Sequence, residues 1–315
     1  MKDSSKGCML QGTMATGTSR IGLLGSRLPT ARSKMSPCGI CPRECAADRQ
    51  GGEAGECGMG PTLVVSAVSL HTGEEPPLNG PAGACNVFLT GCSLHCSFCQ
   101  NHPISHLDVG RPETPAGLAR RVMEVVGMGA RVINFVTGSH QVPAVMEGLA
   151  HILRQAPDLV VAWNSSGYEK VETLRLLDGI VDVYLPDFKF WDAEASGRLC
   201  DAPDYPAVAR AAISEMSRQV GPLVVGPDGV AERGLIIRHL VLPGGLAGTS
   251  GVLGHIARDL PRGTAVSLMG QYVPAGRAMD DPVLGRRLEP GEYEEAVEEL
   301  GRLGLETGWI QEIDQ

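Results

Sequence analysis

No stretch of this 315-residue chain gathers lysine and arginine into a patch. Its 27 basic residues are outnumbered by 36 acidic ones, leaving a formal net charge of -9. A nucleic-acid-binding face needs clustered cations to displace the counterions of phosphate, so this balance argues against nucleic acid as a partner. Long apolar runs are missing as well. In residues 1–34 nothing exceeds Ile21-Gly-Leu-Leu, which is too short for the core of a secretory signal or for a membrane span. No internal repeat is visible, and no fourth cysteine follows closely behind the run Cys92-Ser-Leu-His-Cys96-Ser-Phe-Cys99.

That last absence is chemically informative. Structural zinc sites and ordinary ferredoxin clusters take four protein ligands. Three thiolates on one C-x3-C-x2-C loop therefore point to an iron-sulfur cluster with one iron left open, or to a zinc loop completed by a distant residue. Of the ten cysteines, seven fall in two close-spaced groups. A secreted disulfide framework would be short and preceded by a signal peptide, so the grouping fits metal ligation in a reducing compartment and hence a cytoplasmic protein. The other group, Cys38, Cys41, Cys45 and Cys57, reads C-x2-C-x3-C-x11-C within residues 38–60, where almost no periodic apolar pattern exists. A segment without its own core needs a staple, and four cysteines suffice for zinc or for a second iron-sulfur cluster. Cys8, Cys85 and Cys200 remain as unpaired thiols.

Residues 1–34 are rich in Ser, Gly, Thr and Met, basic and nearly free of acid, which predicts a disordered tail, with a transit-like segment as the alternative. Met35 is an alternative start. Residues 35–84 hold the cysteine knuckle and a connecting segment, with a strand-like run at 63–70 and then the turn-rich GEEPPLNGPAG. From 85 to 275 the pattern alternates. Strands are expected at 86–90, 131–137, 159–164, 181–185, 235–242 and 264–269, with helices between them near 114–128, 143–155, 171–177, 206–219 and 250–260. Continuous apolar strands separated by amphipathic helices argue for a parallel sheet covered by helices. Residues 276–315 supply a final acidic helix, 290–303, and a tail.

In parallel α/β folds the reactive groups sit where strands end. Each expected strand here ends in polar residues: the Cys92–Cys99 loop, Thr137-Gly-Ser-His140, Asn164-Ser-Ser-Gly167, Pro186-Asp-Phe-Lys189, Pro243-Gly-Gly245 and Gly270-Gln-Tyr272. Such a ring on one face of a barrel is a substrate site. Gln100, Asn101 and Asn164 are placed for a ribose or a substrate, and His102, His140 and His239 are candidate proton carriers. Read alone, Asp187 and Lys189 could equally be a surface ion pair. Side-chain alternation leaves open whether Arg238 faces the lumen or the helices.

The stretches CGICPRECAADRQGGEAGECG, CNVFLTGCSLHCSFCQNHPIS, NSSGYEKVETLRLLDGIVDVYLPDFKF, APDYPAVAR and RGLIIRHLVLPGGLAGT span nearly all of residues 38–309. They resemble the radical S-adenosylmethionine superfamily, in particular those relatives of pyruvate formate-lyase activating enzyme that carry an N-terminal cysteine knuckle. The resemblance implies an α/β fold, a partial (β/α)6 barrel behind the knuckle. It implies that Cys92, Cys96 and Cys99 hold a 4Fe-4S cluster whose open iron chelates S-adenosylmethionine, and that Phe98 lies beside the adenine. Asp187 and Lys189 match a D-x-K element that contacts S-adenosylmethionine, and Arg238, before Leu240-Val-Leu-Pro-Gly244, matches an arginine whose anionic partner would be the methionyl carboxylate. Activating enzymes carry a Gly-Gly-Glu-type turn after the second strand. This chain departs from that, leaving Gly138 in TGSHQ as the candidate there. The implied activity is reductive cleavage of S-adenosylmethionine to a 5′-deoxyadenosyl radical that abstracts hydrogen, with glycyl-radical-enzyme activation as one form of it. The implied partners are a reducing donor such as flavodoxin or ferredoxin and an unidentified protein or small-molecule substrate, with no membrane partner. The rival is a non-catalytic electron-transfer or zinc-stabilised binding protein, in which both cysteine groups close with four ligands and Asp187, Lys189 and Arg238 have no role.

Overall fold

The computed structural model describes residues 17–311. It begins with a helix, α1 (Gly17–Ser33), where the sequence predicts a disordered tail. The prediction fails from residue 17 because α1 draws its support from elsewhere in the chain. Leu24 and Ala31 are buried. Arg20 is buried too, donating to the Asp182 carboxylate at 2.6 Å and to the carbonyls of Pro157 and Leu159 at 2.7 and 2.9 Å. The arginines that gave the segment a tail-like composition are its attachment points. Cys8 and the rest of the expected tail, residues 1–16, lie outside the described residues.

The cysteine knuckle follows as irregular chain, and β1 (Val64–His71) leads from it through the short α2 (Pro76–Asn79) into β2 (Ala84–Leu89). After the cluster loop come α3 (His102–His106) and the two-residue β3 (Arg111–Pro112). Regular alternation then begins with α4 (Pro115–Val126), β4 (Val132–Val136), α5 (Val142–Gln155) and β5 (Val160–Ser165). It continues with α6 (Val171–Leu174), β6 (Val183–Pro186), α7 (Ala193–Cys200) and α8 (Tyr205–Val220). The edge strand β7 (Val224–Val225) precedes β8 (Ala231–Leu240), α9 (Thr249–Asp259) and β9 (Ala265–Met269), and the chain ends in α10 (Pro290–Arg302) and β10 (Gly308–Ile310).

Among the described residues the strands form one sheet in the order β10, β9, β8, β6, β5, β4, β2, β1, β3, with β7 paired to β8. The six strands expected from the sequence, β2, β4, β5, β6, β8 and β9, lie side by side and parallel. The path ends at β10 and β3 without joining, so the barrel is partial and open. β1 adds antiparallel to β2 and β10 adds parallel to β9. The tail had no expected strand, because three residues give no readable periodicity.

Alternation along each strand separates two cores. Phe135, Trp163 and Tyr184 face the helices and join the large outer cluster, whereas Val132, Ala162, Leu185, Ile236 and Ala265 form a smaller inner cluster. Leu78 of α2 belongs to that inner cluster and is fully buried. The inner face is thus apolar at one end. The polar strand ends are left for the site.

Candidate active site

The cluster loop leaves β2 through Gly91, whose φ of 80° lies in the left-handed region and where a Cβ would meet the Cys57 carbonyl at 2.5 Å. Only glycine lets the knuckle approach this closely. The three loop cysteines line one cavity. Each sulfur has a potential donor: the Leu94 N–H lies 3.4 Å from Cys92 Sγ, the Cys200 thiol 3.2 Å from Cys96 Sγ, and the Ser105 hydroxyl 3.2 Å from Cys99 Sγ. Burial, with Cys96 beside it, pushes the Cys92 thiol up to about 12. The ammonium of Lys189 acts in the opposite sense on all three cysteines. A cationic neighbour that favours thiolate, three convergent sulfurs and a donor for each fit a 4Fe-4S cluster held by three cysteines. Cys200 is therefore not the isolated thiol the sequence suggested. Cys85 is a buried thiol on β2.

Register explains the opposite wall. Trp309, Ser267 and Arg238 are side-by-side partners across β10, β9 and β8, and an isolated bridge sets Asp187 beside Arg238. All four line the cavity, so Arg238 faces the lumen. Its Nε lies 3.3 Å from Glu75 Oε1 and 3.8 Å from Asp187 Oδ1. Burial opposes its charge, but Glu75 and Asp187 outweigh that and raise its pKa. Lys189 pairs with Asp187. Burial again works against the cation, and Asp187 and Cys96 reverse the sign and raise it. The hydroxyl of Tyr205 locks this turn, accepting the Lys189 N–H at 2.8 Å and lying 2.8 Å from the carbonyls of Ser166 and Asp187.

Asn164 and Phe98 also line the cavity, Phe98 with its ring edge-on to Phe190 at 5.9 Å. Gln100 and Asn101 are there as well, Gln100 donating to the Gln271 carbonyl at 3.1 Å. Gly138 is not brought to the wall. A Cβ at 138 would meet the Trp163 ring at 2.4 Å, so packing behind the sheet accounts for this glycine. Its neighbour Thr137 lines the cavity instead, at φ 60°, an uncommon conformation for a branched residue. Of the three histidines, His140 is buried with Nε2 2.7 Å from the Thr90 carbonyl, and His239 is buried between the Phe188 carbonyl at 2.6 Å and the Thr249 hydroxyl at 3.0 Å. Burial lowers both to about 4, which keeps them neutral supports. His102 stacks on His106 with ring centroids 4.8 Å apart.

Sequence reasoning missed Glu75, Cys200 and Glu169. Each acts through partners remote in the chain or without a motif. Glu169 is a buried carboxylate that accepts from Ser139 Oγ at 2.6 Å, Trp163 Nε1 at 2.9 Å and Ser165 Oγ at 2.8 Å, tying the ends of β4 and β5 together. Its signal was present in NSSGYEK, as an acid two residues after a turn glycine, but nothing local says that it is buried.

The knuckle packs beside the cluster loop. Arg43 donates from Nε to the Ser93 carbonyl at 2.8 Å, and Thr173 Oγ1 donates to the Ile40 carbonyl at 2.6 Å. Arg49, buried, donates to the carbonyls of His140 at 2.7 Å and Gly60 at 2.8 Å. The four thiols are neighbours: burial foremost, then Cys57, Cys38 and Cys45, pushes Cys41 up to about 12. A Cβ at Gly55 would stand 3.2 Å from Cys45 Sγ and 3.6 Å from Cys57 Sγ. Among the described residues, however, no three cysteine, histidine or acidic side chains are gathered tightly enough for a single metal ion.

Residues 78–196 match the family model described as a 4Fe-4S single cluster domain. An uncharacterized protein of Methanocaldococcus jannaschii is 30% identical over 294 residues, 90% of this chain and 80% of that one. Among solved structures, HydG, a maturase of the FeFe-hydrogenase, superposes with a TM-score of 0.50 at 13% identity over 73% of this chain and 52% of its own, a likeness of fold. A radical SAM methyltransferase from Sphaerobacter thermophilus gives a TM-score of 0.49 at 15% identity over 72% of this chain and 66% of its own. The chain spans about half to two thirds of those two structures. No helix among the described residues is long and apolar enough to cross a membrane. The chain belongs to the same family as the Methanocaldococcus jannaschii protein, and its residues 78–196 are similar to a 4Fe-4S single cluster domain.

Proposed function

We propose that the protein holds a 4Fe-4S cluster on Cys92, Cys96 and Cys99 and cleaves S-adenosylmethionine reductively to start hydrogen abstraction from a small substrate. The observation that carries this reading is the convergence of three loop sulfurs and the inward row Asp187, Arg238 and Ser267 on one cavity of about 630 Å³. Held by Cys92, Cys96 and Cys99, a 4Fe-4S cluster would supply the reducing electron for cleavage of S-adenosylmethionine. The chain's own residues position and shield. Arg238, with its Nε edge against Glu75 and Asp187, is poised to meet a carboxylate, and Asp187, Lys189 and Asn164 offer the remaining polar contacts. Phe88, Ile104, Leu240 and Met269 keep the wall around them apolar, which strengthens those contacts by excluding water.

The cavity volume suits the cofactor and a small molecule. Glu75 and Pro76 on one side and Trp309 and Ile310 on another also line it, which favours a small substrate over a glycyl-radical loop of a partner protein. A donor of flavodoxin or ferredoxin type completes the reaction, and the knuckle cysteines, which are not drawn together tightly enough for a single ion as they stand, would have to close up to hold a second metal, zinc or iron-sulfur. Anaerobic reconstitution followed by a 5′-deoxyadenosine assay with dithionite tests the central claim. The wild type should form 5′-deoxyadenosine, and Cys92→Ala, Cys96→Ala and Cys99→Ala should each form none. Cleavage retained in any of the three would sink it.

A further inference from the structure

Cys200 closes α7, a helix capped at its start by Asp192, whose Oδ1 accepts the N–H groups of Glu194 at 2.8 Å and Ala195 at 3.0 Å. Asp201, at φ 53°, ends it. The last turn of α7 is bonded to the cluster loop through the backbone. The His95 N–H donates to the Cys200 carbonyl at 3.3 Å and the Ser97 N–H to the Leu199 carbonyl at 2.8 Å. Arg43 of the knuckle donates to the same Cys200 carbonyl at 3.2 Å. These contacts hold Cys200, fully buried, with its sulfur 3.2 Å from Cys96 Sγ. The placement rests on main-chain bonds from both sides of Cys96 and does not depend on a rotamer alone.

Distance separates two roles for the extra sulfur. Two thiolates on one tetrahedral metal with bonds of about 2.3 Å stand roughly 3.8 Å apart, and sulfurs on different irons stand farther still. At 3.2 Å Cys200 is too close to Cys96 to be a second ligand and is in the range of a thiol donating to sulfur. We propose that Cys200 is a positioning residue that donates its S–H to the iron-bound sulfur of Cys96 and raises the reduction potential of the cluster. This rests on the cluster assignment above. An iron-bound thiolate can only accept, so the proton lies on Cys200. A hydrogen bond to a ligand sulfur stabilises the reduced, more negative cluster. Leu94 and Ser105 serve Cys92 and Cys99 from within the same stretch of chain, whereas Cys200 brings an outer helix to the third ligand.

The test is the midpoint potential of the reconstituted protein, followed by the EPR signal of the reduced cluster, with iron and sulfide measured alongside. Cys200→Ala should load iron as the wild type does and shift the midpoint negative by about tenfold in the reduction equilibrium, which is 59 mV for one electron. Cys200→Ser keeps a donor on a shorter bond and should fall between the two; it carries the test if the alanine variant does not fold. Midpoints equal to wild type in the variants overturn the proposal. Loss of iron from both variants overturns it too, by making Cys200 a ligand. If the wild type forms no 4Fe-4S cluster at all, the cluster assignment fails. If it forms one whose potential ignores Cys200, only the present inference fails.

Discussion

A guanidinium inside a barrel wall persists only where the wall supplies its counter-charge. For Arg238 the sequence offered no partner within the chain and two equally good directions, because a period of two fits either face of a strand. Register decides it, by placing Arg238 between Ser267 and Asp187, and the connecting segment brings Glu75 to its Nε. Lys189 has the same logic on a shorter scale, since the D-x-K spacing sets its partner two residues away. If these cations hold the methionyl end of S-adenosylmethionine, each loses a charge-assisted contact on truncation, worth about 1.5 to 3 kcal/mol. Lys189→Ala and Arg238→Ala should therefore weaken S-adenosylmethionine binding roughly ten- to a hundredfold, read by titration of reconstituted protein. Unchanged affinity with intact cluster absorbance would remove both from the site.

Elements were legible wherever their own residues pay for them. Six parallel strands and the helices between them announced themselves because both faces of such strands are buried and apolar. α1 did not, since it depends on Arg20 reaching Asp182 across 162 positions, and neither did α7 or β10, which are too short to show a period. Arg20→Ala should leave Asp182 partly buried without its cation. The full penalty for breaking a buried pair is larger, but Asp182 keeps some exposure, so about 2 kcal/mol of stability is expected to go, measured by urea unfolding. A loss near zero would mean that α1 is held by Leu24 and Ala31 alone. The knuckle is the opposite case: its four cysteines lead the sequence to expect a metal, yet among the described residues no three such side chains are gathered tightly enough for a single ion. Metal analysis of the triple variant Cys92→Ala, Cys96→Ala, Cys99→Ala should still find zinc or iron near one site per chain. A folded, metal-free triple variant would show that Arg43, Arg49 and Thr173 order the knuckle without help.

Across the whole molecule, the parallel sheet and the polar strand ends follow from the sequence, while the supports behind them come from burial that no local pattern encodes. His239 is the clearest of these. It was a candidate proton carrier, but the fold seals it between Phe188 and Thr249, and burial lowers its pKa from 6.5 to about 4. The sign follows from linkage. Between those two values the unfolded chain binds a proton at this position and the folded chain does not, so stability must rise with pH across the window. The contribution is therefore complete above pH 6.5, lost progressively as the pH falls, and exhausted near pH 4. At 1.36 kcal/mol per unit it amounts to about 3 kcal/mol. Urea unfolding under anaerobic conditions at a series of pH values should show this loss in the wild type, and His239→Gln should flatten the slope by one proton's worth in the same window. Parallel slopes for the two proteins would mean that His239 takes up its proton in the folded state as readily as in the unfolded one, and would reopen it as a group that can exchange protons at the site.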